Sequence, residues 1–191
     1  MKYILLLLLA IYSIRLSAQQ KQFFKEDNGK FIYYVVVDSQ KLGKAALLER
    51  AKGFLAANKK TVKEESATDS SLIAKGKLII DKTVLVVGHP SGEISYNFVF
   101  EAKEGKYRFW LTDFVFIPYQ RDRYGNFVPS INIGTPLEKD VDKLTAGQWK
   151  DIQATSYLKA EKFGESLKKF VATNTIKPAV KSIETISTRK W

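Results

Sequence analysis

Along the middle of the chain apolar and polar positions alternate with period two, and in two places the period lengthens to about 3.6, so the pattern predicts a sheet with helices. The run "FIYYVVV", Phe31 to Val37, is β-branched and aromatic throughout. It predicts a strand buried on both faces or nearly so. Asp38 and Ser39 then offer a cap to "KLGKAALLERAKGFLAANKK", where Leu47, Leu48, Ala51, Phe54 and Leu55 recur at three- and four-residue steps while Lys44, Arg50 and Lys52 point elsewhere. This is an amphipathic helix ending near Asn58. Gly43 and Gly53 weaken it by roughly 1 kcal/mol each if interior, so packing on a sheet must supply the difference.

From Val62 onward, strand-like segments succeed one another with turn signals between them: "VKEES", "SLIAKGKLII", "TVLVVGH", and then two long arms, "ISYNFVFEAK" and "KYRFWLTDFVFI", divided by Glu104-Gly105. The arms form a hairpin. In the first, Ile94, Tyr96, Phe98 and Phe100 share a face opposite Asn97, Val99 and Glu101; in the second, Tyr107, Phe109 and Leu111 share a face opposite Arg108, Trp110 and Thr112. One strongly apolar face per arm is what a sheet covered by helices on one side requires. Between Pro118 and Pro136 three prolines and two glycines interrupt the pattern, which predicts a long loop or bent excursion off the sheet. "LEKDVDKL" and "WKDIQATSYLKAEKFGESLKKFVATN" read as helical, with Phe163, Leu167, Phe170 and Val171 as the clearest stripe, and Pro178 ends the helical pattern. The class is α+β: an antiparallel sheet of about five strands in β-α-β4-α order, with helices on one face. The expected organisation is a polar lead over residues 19–30, a domain over 31–173 with the excursion at 118–136, and a basic tail over 174–191.

Certain of these residues carry a family resemblance. "LLERAKGFLA" is similar to a Leu-Tyr-x-x-Ala-like helix core with Leu48 in the aromatic position; Asp69, Ile73, Lys75 and Gly76 match an acidic turn followed by Ile and Lys-Gly; Arg108, Phe109, Thr112, Asp113 and Phe114 match an R-F-x-x-T-D-F ending. The chain thus resembles, over Phe31 to Phe116, an exported bacterial domain of unknown function with a TBP-like (TATA-box-binding-protein-like) fold. The resemblance implies a fold and an exported address. It implies no activity, so no catalytic residue carries over. The excursion and the tail from Asn174 are the places where something particular to this protein would lie.

The N-terminus points to the same address. Met1-Lys2, the apolar run Ile4 to Ile14, and Ser17-Ala18 have the order of a secretory signal cut after Ala18. That run spans roughly 16 Å as a helix, against roughly 30 Å of hydrocarbon to be crossed, so no transmembrane span is expected after cleavage. The expected location is periplasmic or secreted. The chain has 191 residues and no cysteine, which excludes disulfides, thiolate metal sites and a lipid-modified cysteine. Its net charge of +11 suits an anionic partner such as an acidic glycan, a membrane surface or nucleic acid; cutting after Ala18 removes only Lys2 and Arg15 of the basic residues, so the charge belongs to the folded part. Export makes nucleic acid the unlikely choice, leaving an envelope protein or an anionic glycan as expected partners.

Enzyme motifs are scarce. His89, the single histidine, sits beside Pro90 and Gly92 and reads as a turn residue. "SLKK", Ser166 to Lys169, matches S-x-x-K by chance, lying in a helical repeat without its K-T-G companion. Carboxylate pairs such as Asp140/Asp142 and Glu64/Glu65 have the spacing of a solvated surface. No catalytic, cofactor-binding or metal residue is expected. Binding candidates are Arg108 and Trp110 on the outer side of the hairpin and Tyr119, Arg121, Arg123, Tyr124 and Phe127 in "YQRDRYGNF", which combine rigid aromatic area with cationic donors. The expected function is a non-catalytic binding or envelope-associated module. The alternatives are a hydrolase using acidic residues and a binder of an anionic polymer through the open sheet face.

Overall fold

The computed structural model describes residues 24–81, 90–141 and 146–173. The expected signal (1–18), the strand "TVLVVGH" with His89, and the tail from Asn174 lie outside them. The elements run β1 (Lys25–Asp27), β2 (Lys30–Asp38), α1 (Lys44–Ala57), β3 (Val62–Ala67), β4 (Ser71–Asp81), β5 (Pro90–Lys103), β6 (Lys106–Arg121), β7 (Phe127–Pro129), β8 (Thr135–Pro136) and α2 (Ala146–Thr173). The sheet has eight strands rather than about five, in the order β1-β2-β6-β5-β4-β3, and every pairing is antiparallel. The additional strands are short. β2, β8 and β7 share one edge of β6 in succession, at residues 106–111, 115–116 and 119–121.

The predicted alternation holds in the hairpin. Ile94, Tyr96, Phe98, Phe100, Tyr107, Phe109 and Leu111 all point inward and are buried. They join Leu47, Leu48, Ala51, Phe54 and Leu55 of α1 and Ile152, Ala160, Leu167 and Val171 of α2 in one core cluster. Both helices therefore lie on the same face of the sheet. Phe163 of α2 ties the layers, meeting Phe54 of α1 edge-on at 5.3 Å and Phe98 of β5 at 5.5 Å. Such tilted contacts are the favoured geometry of buried aromatic pairs.

Between Ser95 and Asn97 the β5–β6 register shifts: Asn97 pairs with Thr112 and Ser95 with Val115. Two residues of β6, Asp113 and Phe114, thus oppose Tyr96 alone, which is a β-bulge. Asp113 takes the left-handed conformation, φ 54°. The bulge changes the parity of β6, so that Phe114 and Phe116 continue the buried face begun by the odd-numbered residues before it.

Four expectations are corrected. β2 is buried on one face only: Tyr33 is buried, but Tyr34 and Val36 are exposed because no layer among the described residues covers their side. Asp38 ends β2 and caps nothing; the N-cap of α1 is Gly43, and the free backbone N–H of Lys44 donates to Glu104 Oε1 at 3.2 Å, reached from the β5–β6 turn. Leu137 to Lys139 form a turn instead of helix, with Leu137 buried and its N–H bonded to Phe114 O at 2.9 Å. The polar lead is structured from Phe24 on: Asn28-Gly29, both at positive φ, make the two-residue β1–β2 turn, and Phe24 packs 4.4 Å from the Phe114 ring.

Candidate binding surface

With both helices on one side, the other side of the sheet carries no covering layer among the described residues. Register places four apolar side chains in one row across it: Ile73 pairs with Val99, Val99 with Trp110, and Trp110 with Tyr34. Each lies on the outward parity of its strand. Tyr34 is 38% exposed and Ile73 39%, and the Tyr34 and Trp110 rings lie 6.3 Å apart at 35°. Together they form an open aromatic platform. The next row is polar: Arg108 donates to Glu101 through Nε at 2.7 Å, and its guanidinium lies 5.5 Å from the Trp110 ring centre. Glu101 holds Arg108 firmly in its charged form. A shallow concavity of about 220 Å³ opens there, lined by Tyr34, Val36, Glu101, Lys103, Lys106 and Arg108. Among the described residues neither Lys103 nor Lys106 has a carboxylate within ion-pair distance, so three cations face one carboxylate.

On the far side of the row two lysines are paired with carboxylates. Lys75 pairs with Glu65 at 2.8 Å and Lys77 with Glu93 at 3.0 Å. Asp113 at the bulge is paired with Lys30 and accepts from Asn97 Nδ2 at 2.9 Å; the Lys30 hydrogen bond holds its carboxyl below the usual range. Glu93, the one buried carboxylate among the described residues, also accepts from the Tyr119 hydroxyl at 2.7 Å. Burial, with Glu93 alongside, pushes that hydroxyl's pKa up, so it remains a donor. Tyr119 is thus a strut of the face.

The other candidates sit on an arm. Beyond Pro118, the last residue paired with β5, β6 pairs only with β7. Asp122 closes the tip, its Oδ1 accepting from the N–H groups of Tyr124 and Asn126, both at 2.8 Å. Although burial acts in the opposite sense, those donors, Asn126 foremost, hold the Asp122 carboxyl below its ordinary range. The guanidinium of Arg121 lies 5.0 Å from the Phe127 ring centre and that of Arg123 4.8 Å from the Tyr124 ring centre. The expected loop is therefore a β-hairpin with a built turn. Its thirteen-residue separation from Arg108 along β6 corresponds to about 40 Å of strand. Arg108 and Trp110 thus belong to one surface, and Arg121, Arg123, Tyr124 and Phe127 to another. Sequence reasoning missed Tyr34, Ile73 and Val99, which only strand register brings beside Trp110. Among the described residues no group of three or more His, Asp or Glu side chains is placed to hold a metal ion.

Comparison with known proteins places this geometry. Residues 33–117 match the model of a family described as a domain of unknown function (DUF4468) with TBP-like fold. A crystal structure of a TBP-like protein from Parabacteroides distasonis ATCC 8503 superposes with a TM-score of 0.60 at 12% identity, covering 79% of this chain and 98% of that one. A DUF4468 family protein from Bacteroides ovatus ATCC 8483 gives 0.56 at 11% identity, covering 81% and 94%. No curated protein matches the chain. The family match takes in Tyr34, Arg108 and Trp110 and stops at Ile117, before the arm.

Proposed function

We propose that this chain, whose residues 33–117 match the model of the DUF4468 family with TBP-like fold, is a non-catalytic binding module that holds an acidic polysaccharide across its open sheet face. The observation that supports this most is the Tyr34–Trp110 platform lying directly beside the cationic concavity of Lys103, Lys106 and Arg108. Sugar rings present flat C–H faces that pack on aromatic rings. Uronic-acid carboxylates would meet the guanidinium of Arg108 and the two ammonium groups. The surface is shallow, as an extended chain needs, and Glu101 holds the Arg108 guanidinium over the Trp110 ring. Export to the envelope, expected from the first eighteen residues, would put such a module where acidic glycans occur.

The test is affinity electrophoresis through native gels containing polygalacturonate or, as a neutral control, dextran. Retardation by polygalacturonate alone is expected. Tyr34→Ala/Trp110→Ala keeps the net charge and should weaken the interaction about tenfold or more, equivalent to about 1.4 kcal/mol. Equal retardation of this variant and the parent would mean that bulk charge, and not the face, binds.

A further inference from the structure

The arm presents a second chemistry that the polysaccharide reading leaves unused. Its exposed large apolar residues are Tyr124 at the tip, 73% exposed, and Ile131 and Ile133, 43% and 86% exposed, on the segment that returns to β8. They are held outward. Ser130 is fastened to Pro118 O through its N–H at 2.8 Å and its hydroxyl at 2.9 Å, and Thr135-Pro136 pair with Val115 and Phe116 of β6. Gly134 fits between these anchors only because it has no side chain: a Cβ there would come within 2.5 Å of Val115 Cγ1. Ile131 and Ile133 are consequently displayed from a short segment pinned at both ends. The arm also carries Arg121 beside Phe127 and Arg123 beside Tyr124, neither with a carboxylate within ion-pair distance among the described residues. The acid between them, Asp122, spends its carboxylate on the turn's own N–H groups.

We infer that this arm seats the protein on an anionic lipid surface, with Ile131, Ile133 and Tyr124 entering the headgroup–acyl boundary and Arg121 and Arg123 contacting lipid phosphates. Separated aliphatic and aromatic projections on an arm that also carries two arginines suit a fluid interface that can close around each, whereas a shaped protein groove would need them contiguous. The sign of the free charge matches an anionic leaflet. No helix among the described residues is long and apolar enough to cross a membrane. The arm falls outside the residues matched to the family, so its role is separable from that of the open face.

The absence of cysteine from the chain makes a local test direct. The full chain bearing Ile133→Cys is labelled with an environment-sensitive fluorophore and mixed with phosphatidylglycerol/phosphatidylethanolamine or phosphatidylcholine vesicles. Because the probe reads its own depth, contact made by the apolar residues 4–14 does not imitate the result. A blue shift with the anionic vesicles is expected, little with phosphatidylcholine, and none for the same label at Glu165→Cys on α2. Arg121→Ala/Arg123→Ala should raise the lipid needed for half the shift by about tenfold or more. No shift with either vesicle, an equal shift with both, or an unchanged lipid requirement in the arginine variant would overturn the inference. So would a shift that tracks protein concentration without vesicles, which would indicate a second copy, or one produced by polygalacturonate instead of lipid.

Discussion

At the scale of single residues, two positions of the family resemblance acquire physical reasons. Gly76 is required because the Tyr96 ring lies across it: a Cβ there would stand 2.3 Å from the ring's Cζ. Gly76→Ala should overpack the sheet and cost about 1–3 kcal/mol in urea unfolding. The Tyr96 hydroxyl is buried without a partner among the described residues, and burial pushes its pKa far above the ordinary phenol range. Tyr96→Phe should therefore leave stability equal or raise it by about 1 kcal/mol or more; a lowered midpoint would mean that the hydroxyl finds a partner in solution. Asp113 serves the bulge. Asn tolerates its left-handed backbone and Val does not, so Asp113→Val should cost about 1–2 kcal/mol more than Asp113→Asn. The folded-state pKa of Asp113 is depressed, chiefly by the Lys30 hydrogen bond. Its contribution is complete above the unfolded value of about 3.9 and is lost as pH falls below that toward the folded value. The difference in stability between parent and Asp113→Asn should accordingly shrink as pH is taken from 7 to 3.

At the scale of elements, each helix borrows a cap from elsewhere. Arg50 of α1 donates from Nη1 to Val171 O at 2.6 Å, satisfying a carbonyl at the end of α2, which has no basic residue in its own last turn. A cation there also complements the helix dipole. Arg50→Ala should cost about 1.5–3 kcal/mol and speed amide exchange selectively in the last turn of α2; uniform exchange would show that the contact does not cap. Such caps were not legible in the sequence, because Arg50 and Val171 are 121 residues apart and no local pattern joins them. The helix stripes and hairpin alternation were legible because burial on one face imposes its period on the sequence. Where both parities are apolar the period gives no face. "FIYYVVV" is uniformly apolar, so its uncovered side could not be read, and Phe114 to Ile117 hide the parity change at the bulge. The β1 hairpin did leave a signal, Asn28-Gly29, whose positive φ at both positions is what a tight two-residue turn needs.

For the whole molecule, the two faces of one sheet divide the buried core from the open surface proposed for recognition. Phe98, fully buried beneath the helices, should cost about 3–5 kcal/mol when replaced by Ala, while Trp110→Ala on the open side should cost roughly 1 kcal/mol or less. Thermal unfolding of both variants checks this; equal losses would show that something covers the outer face. Half of that face could be read from alternation, since Arg108 and Trp110 stand opposite Phe109 and Leu111. The remainder could not, because Tyr34, Ile73 and Val99 meet Trp110 only through strand register. The isoleucines of the arm, isolated among prolines and glycines, gave no period at all. The bulge at Asp113 also fixes which way everything after it faces. Were β6 to run through Asp113 as regular strand, with no bulge and no residue lost, the two sides of the strand beyond it would exchange, turning Val115, Ile117 and Tyr119 toward the helices and Phe114 and Phe116 toward solvent. The presence or absence of the bulge at this single point thus acts as a two-position selector, through which a lineage or a designer could re-aim the arm while leaving the sheet before it unaltered.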